Sequence, residues 1–118
     1  MAEETILVSN TSSLSVTSIA SACQHQGRIA GFHFFNPVPL MKIVEVIAGL
    51  ATDEQVVVDL LDLANRMGHL GVRTKDTPGF IVNHAGRAYS TEALKILGEC
   101  VTSPSEIDRI LREGAGFR

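Results

Sequence analysis

A histidine and a carboxylate stand twelve positions apart, in Gly31-Phe32-His33-Phe34-Phe35-Asn36-Pro37-Val38-Pro39 and in Ile43-Val44-Glu45-Val46-Ile47. Charged side chains are almost never fully buried without a partner. A single Glu in an apolar strand therefore asks for a nearby cation or proton carrier, and His33 is the nearest. The turn Asn36–Pro39 folds the two runs back on each other and brings the pair together. A His–Glu couple in a dry site moves protons: the carboxylate orients the ring and stabilises its charged form. The same two residues also suit a satisfied core pair with no chemistry.

The strands that hold this pair belong to an alternating pattern. Thr5–Val8 is a short apolar run of the kind a buried parallel strand shows, ending in Ser9-Asn10-Thr11-Ser12-Ser13. Ligands of open α/β sheets sit just beyond a strand's carboxyl end, while Ser and Thr there also cap helices. Ser13 or Ser15 can cap while Ser12 faces a ligand. The helix that follows has Val16, Ile19, Ala20 and Cys23 on one stripe. Ile29–Phe35 and Ile43–Ile47 read as neighbouring strands. Thr52-Asp53-Glu54-Gln55 reads as a capping box, opening a helix with Val56, Val57, Leu60, Leu61, Ala64 and Met67 on one side and Gly68 closing it.

Leu70–Thr74 is a further strand, and Asp76-Thr77-Pro78-Gly79 a turn. From Phe80 to Leu97 runs the longest helical pattern, with Asn83 one turn inside it. Ser103-Pro104-Ser105-Glu106 starts another helix, with Ile107, Ile110 and Leu111 facing inward and Gly114 at its end. The three phenylalanines beside His33 read as packing around the site. His25, His69 and His84 read as surface or loop residues.

Composition narrows the function classes. The 118 residues are 45% hydrophobic with a formal net charge of −3, and one core fits that length. No basic stripe offers nucleic acid an electrostatic footprint. No apolar run reaches the roughly 18 residues that span a bilayer, and no signal-peptide core opens the chain. Cys23 and Cys100 share no motif spacing and read as reduced, half-buried thiols of a cytoplasmic protein, without a disulfide or metal role. The phosphate-binding turn G-x-G-x-x-G of dinucleotide sites does not occur, since the glycines are scattered apart from Gly114-Ala115-Gly116.

Taken together, Gly31–Ile47, the preceding SNTSSL at Ser9–Leu14 and the following KDTPGFIVN at Lys75–Asn83 resemble the NAD-dependent L-3-hydroxyacyl-CoA dehydrogenase family. The three motifs stand in the family's order and spacing, and the likeness runs from Thr5 to the last residue. The resemblance implies an α/β fold: the C-terminal half of a Rossmann-type dinucleotide-binding domain over residues 1–78, then the first helices of an all-α dimerisation domain over 79–118. It implies NAD as cofactor and an acyl-CoA as substrate. His33 aligns with the catalytic base for the 3-hydroxyl proton, and Glu45 with the carboxylate paired to it. Ser12 aligns with a serine touching substrate and cofactor, Asn36 with a cofactor- and substrate-side asparagine, and Asn83 with one that positions the substrate.

His84 stands where the family often has arginine and His69 where it often has lysine. The wording from Gly79 to Glu99 and the ending Ile110–Arg118 are most similar to the bacterial phenylacetate-degradation branch, with a 3-hydroxyadipyl-CoA-like substrate. The family's glycine loop belongs to a first half that precedes Thr5, and the family continues past Arg118. The chain therefore reads as an internal piece, with little activity alone. Its unpartnered sheet edge and helix faces predict a homodimer or higher homo-oligomer, with the Phe80–Leu97 helix exchanged between copies. Two other functions stay open: a hydrolase using Ser12 or Ser13 with His33 and Glu45, and a non-catalytic association module.

Overall fold

The structure is a computed structural model and describes residues 4–117. Its elements are β1 (Leu7–Ser9), α1 (Val16–Ser21), a 3-10 turn (Gln26–Arg28), β2 (Ile29–Phe34), β3 (Ile43–Ala48), α2 (Glu54–Arg66) and β4 (Leu70–Lys75). Next come α3 (Val82–Gly98) and α4 (Pro104–Arg109), which runs into a π-helical turn, Ile110–Gly114. Two compact units divide the chain, one ending at Asn83 and the other beginning at His84. Among the described residues no helix is long and apolar enough to cross a membrane.

The first unit is a mixed sheet in the order β1-β2-β3-β4, with β1 and β2 parallel, β2 and β3 antiparallel, and β3 and β4 parallel. This order explains the helix placement. Crossovers between parallel strands are right-handed, and the second pair of strands runs opposite to the first. The two crossover helices must therefore cover opposite faces. Val16 of α1 packs with Ile47 and Phe80 on one face. On the other, Val56, Val57, Leu60 and Ala64 of α2 pack on Ala30, Phe32, Val44 and Val46.

Side chains alternate across a strand, so Gly31, His33, Glu45 and Ile47 share the α1 face. Gly31 has no room for a side chain: a Cβ there would lie 2.8 Å from Ile47 Cβ and 3.0 Å from Val16 Cγ2. Asp76 ties the start of α1 to the end of β4. Its carboxylate accepts from the amides of Val16 at 3.0 Å and Thr17 at 2.8 Å and from the Ser15 hydroxyl at 2.7 Å.

Several details differ from the sequence reading. β1 starts two residues later than Thr5–Val8 and ends one later, because its pairing with β2 sets its limits. The capping box at Thr52 does not form. Asp53 is the N-cap of α2 and makes no side-chain cap bond, while the Thr52 hydroxyl accepts from the Gly49 amide and donates to the Ile29 carbonyl. Thr52 thus ties the β3–α2 loop to β2. Met67 lies beyond the core stripe as the C-cap and is exposed.

In the second unit, Ser103 caps α4 by accepting from the Glu106 amide. Ile107 and Leu111 are half-buried, whereas Ile110 is exposed, because the helix widens into the π-turn at that residue. Tyr89 and Phe117 meet edge to face, with ring centres 5.1 Å apart. Cys23 is half-buried and Cys100 exposed, contrary to the expectation for the latter; both are free.

Candidate active site

The β2–β3 ladder sets His33 directly opposite Glu45. Both are buried, Glu45 completely, and His33 Nδ1 lies 2.8 Å from Glu45 Oε2. Position on a shared sheet face, not the turn sequence alone, makes the pair. A buried carboxylate needs its other oxygen satisfied as well. Glu45 Oε1 accepts from the amides of Ile81 at 2.8 Å and Val82 at 2.9 Å, at the entry to α3.

The turn before α3 aims those amides. Gly79 and Phe80 both have positive φ, 77° and 49°, and the second is uncommon for a residue with a side chain. Phe80 is held there by burial against Val16 and Ile47 and by its amide donating to Thr77 O at 2.9 Å.

These bonds assign the histidine tautomer. Backbone amides only donate and a carboxylate accepts, so Nδ1 carries the hydrogen and donates to Glu45. Nε2 is left with its lone pair. The Ser12 hydroxyl lies 2.9 Å from Nε2 and donates to it. Ser12 is exposed while His33 is buried, so the hydrogen bond links the buried ring to an exposed hydroxyl. Phe35 and Phe80 pack edge-on against the imidazole, with ring centres 4.5 and 5.6 Å away. Phe32 and Phe34 do not. They point to the opposite face and meet each other at 4.9 Å, as alternation along β2 requires.

Ser12, His33 and Glu45 thus form one continuous chain of hydrogen bonds. The two asparagines are placed differently. Asn36 is exposed on the turn after β2, and its bond to Pro37 is cis. Asn83 is the second residue of α3, not one turn inside it, and is half-buried beside Val82. No hydrogen bond joins either side chain to His33 or Glu45. Asn10 is a residue the sequence reading passed over: its side-chain oxygen accepts from the Phe34 amide at 2.9 Å, clipping the Ser12 loop to the strand that bears His33. Its place in SNTSSL was a signal. The Ile81 and Val82 amides left none, since every residue but proline offers one.

His69 lies in the loop between α2 and β4, as expected, but not at the surface. It is buried, with Nδ1 3.3 Å from Met67 O and Nε2 3.4 Å from Val38 O, and its ring meets Phe34 edge-on at 5.6 Å.

The donor set fits only part of a dinucleotide. An exposed hydroxyl beside a ring nitrogen, with Phe35 and Phe80 against the ring, suits the reacting end of a nicotinamide and an alcohol. Nothing in the sequence supplies the glycine turn that cradles pyrophosphate.

Comparison with known proteins gives a consistent picture. Residues 1–77 match the family described as 3-hydroxyacyl-CoA dehydrogenase, NAD binding domain, and residues 79–118 match its C-terminal domain. The chain is 51% identical over 114 residues to 3-hydroxyadipyl-CoA dehydrogenase of Escherichia coli K12, covering 97% of this chain and 24% of that protein. It is 47% identical over 116 residues to the mitochondrial hydroxyacyl-coenzyme A dehydrogenase of Sus scrofa, covering 98% and 37%. Among solved structures, the (S)-3-hydroxybutyryl-CoA dehydrogenase of Ralstonia eutropha superposes with a TM-score of 0.93 at 39% identity, covering 98% of this chain and 41% of that one. The chain thus spans about a quarter to two-fifths of the length of these relatives.

Proposed function

The chain belongs to the 3-hydroxyacyl-CoA dehydrogenase family, and from that premise we propose that it carries the proton-transfer centre for oxidation of an L-3-hydroxyacyl-CoA to the 3-oxoacyl-CoA. The observation that carries this reading is the chain Ser12 Oγ–His33 Nε2, His33 Nδ1–Glu45 Oε2, at 2.9 and 2.8 Å.

NAD, when bound, supplies the hydride acceptor. The protein's work is proton transfer and placement. His33 Nε2 takes the proton of the 3-hydroxyl and returns it in the reverse direction. Glu45 holds the ring in the tautomer that leaves Nε2 basic and stabilises the imidazolium that forms. Ser12 marks where a second hydroxyl can stand beside Nε2, and it contacts both substrate and cofactor. Asn36 serves the cofactor and substrate side, and Asn83 positions the substrate near the entry to α3. Phe35 and Phe80 keep water from the ring.

The substrate is narrowed to a 3-hydroxyadipyl-CoA-like acyl group, which the 51% identity to the Escherichia coli 3-hydroxyadipyl-CoA dehydrogenase supports; a phenylacetate-type pathway rests on the sequence resemblance alone. The domain boundary falls at the Pro78-Gly79 turn, between the two family matches. The free thiols fit a reducing cytoplasm, and the working form is a homodimer or larger homo-oligomer. The 118 residues alone have little activity, because the pyrophosphate cradle is not in their sequence.

The test is His33→Gln in the complete polypeptide carrying this chain. Turnover of 3-hydroxyacyl-CoA with NAD is expected to fall about 10²–10⁴-fold; near-normal turnover sinks the assignment. A hydrolase is the second reading that the same hydrogen-bond order suggests. Ser12 lies on an exposed loop without the G-x-S-x-G elbow that strains a nucleophilic serine outward. Labelling of Ser12 by a fluorophosphonate would decide for it.

A further inference from the structure

We propose that His69 is a positioning residue, which fixes the span of the turn that carries Phe35 and Asn36. This rests on the dehydrogenase reading of the His33 site. His69 lies between α2 and β4, on the sheet face opposite to His33, and touches no group assigned to the chemistry. It meets the turn at both ends. Its ring packs edge-on against Phe34, the last residue of β2, with centres 5.6 Å apart. Its Nε2 faces the Val38 carbonyl at 3.4 Å.

Between those two contacts lie Phe35, Asn36 and Pro37. Phe35 packs on the His33 imidazole at 4.5 Å, and Asn36 is exposed. The remainder of the turn closes on itself, with the amides of Leu40 and Met41 donating to Pro37 O at 2.9 and 3.0 Å.

Both ring nitrogens face carbonyls, which only accept: Nε2 faces Val38 O and Nδ1 faces Met67 O. A neutral imidazole has one N–H to give; the tautomer protonated at Nε2 is the one that pins the turn, and it is part of the proposal that the glutamine variant tests. His69 is itself held, by burial and by its amide donating to Ala64 O at 3.0 Å. Burial and the Phe34 ring contact place the imidazole as a post against the turn. The contact acts at a distance from the reaction, through Asn36 on the cofactor side of the turn, while the Ser12–His33–Glu45 bonds lie on the other face of the sheet.

The experiment compares His69→Leu and His69→Gln in the complete polypeptide. Leucine fills the space without a donor, and glutamine restores an N–H toward Val38. In the leucine variant kcat/KM is expected to fall about tenfold to a hundredfold, mainly through a raised KM for NAD, with kcat within about threefold because the Ser12–His33–Glu45 bonds are untouched. Amide exchange at Leu40 and Met41 should quicken, and glutamine should reverse both effects.

Unchanged exchange in the leucine variant overturns the pin. Faster exchange with unchanged KM and kcat overturns the positioning role. Equal kinetic loss in both variants, tracking thermal stability, reduces His69 to packing and also overturns it. An unmodified protein inactive with 3-hydroxyacyl-CoA and NAD refutes the dehydrogenase reading instead, and the exchange comparison still decides the pin.

Discussion

Glu45 accepts at both oxygens, from His33 on one side and from two backbone amides on the other. That arrangement makes Glu45→Gln an informative change, because the volume hardly alters. If the new carbonyl oxygen stays with the Ile81 and Val82 amides, the side-chain NH2 must face Nδ1. The ring then accepts at Nδ1 and carries its hydrogen on Nε2, the wrong tautomer for a base. If the amide is turned around, its NH2 meets two donors in a buried site. Turnover is expected to fall about 10²–10⁴-fold in either case. Nitrogen NMR of the His33 ring checks the tautomer; a ring still protonated at Nδ1, with normal turnover, contradicts the account.

At the level of elements, the face shared by β2, β3 and α1 has no slack. Gly31→Ala places a methyl against Ile47 Cδ1 and Cβ and Val16 Cγ2, and the Cβ, fixed to the backbone of β3, cannot swing aside. A loss of about 1–3 kcal/mol is expected, read as a lowered midpoint in urea. The Asp76 clasp on α1 gives a pH signature. Burial pushes the Asp76 carboxyl upward, but bonds from the Thr17 amide and side chain, the Ser15 hydroxyl and the Val16 amide outweigh it and hold it below its ordinary 3.8. A carboxyl lowered on folding stabilises the fold above its unfolded value, and that share is lost as pH falls through the lowered one. Asp76→Asn should therefore be less stable at about pH 6, with the deficit shrinking toward about pH 3. A deficit constant across that range removes Asp76 from the acid response.

Across the whole molecule, two unfinished surfaces stand out. Among the described residues β1 pairs on one side only, with β2, and Val8, Leu14, Leu40 and Leu50 are exposed in the first unit. The second unit has no buried residue on α3 or α4 and carries an open apolar groove of about 700 Å³ between Tyr89, Ile96, Val101 and Leu111. Apolar faces of this kind associate. The 12.7 kDa chain is expected to sediment as a dimer or larger species at high micromolar concentration; a single-chain mass there contradicts the oligomer proposal.

Residue order alone was enough for the alternation of strands and helices, the His33–Glu45 pairing and the family likeness, because side-chain periodicity and motif spacing are local properties of a chain. Ser12 was singled out by likeness, not by physics, since Thr11 and Ser13 flank it with the same chemistry. Folding settled the rest. The grip of the Ile81 and Val82 amides on Glu45, the Asn10 clip, the displaced Thr52 hydroxyl and the buried His69 all join segments distant in sequence. Backbone donors look alike at every position, and burial depends on which face of the sheet a neighbour covers. Those facts arise only when β2 and β3 reverse direction and send α1 and α2 to opposite sides.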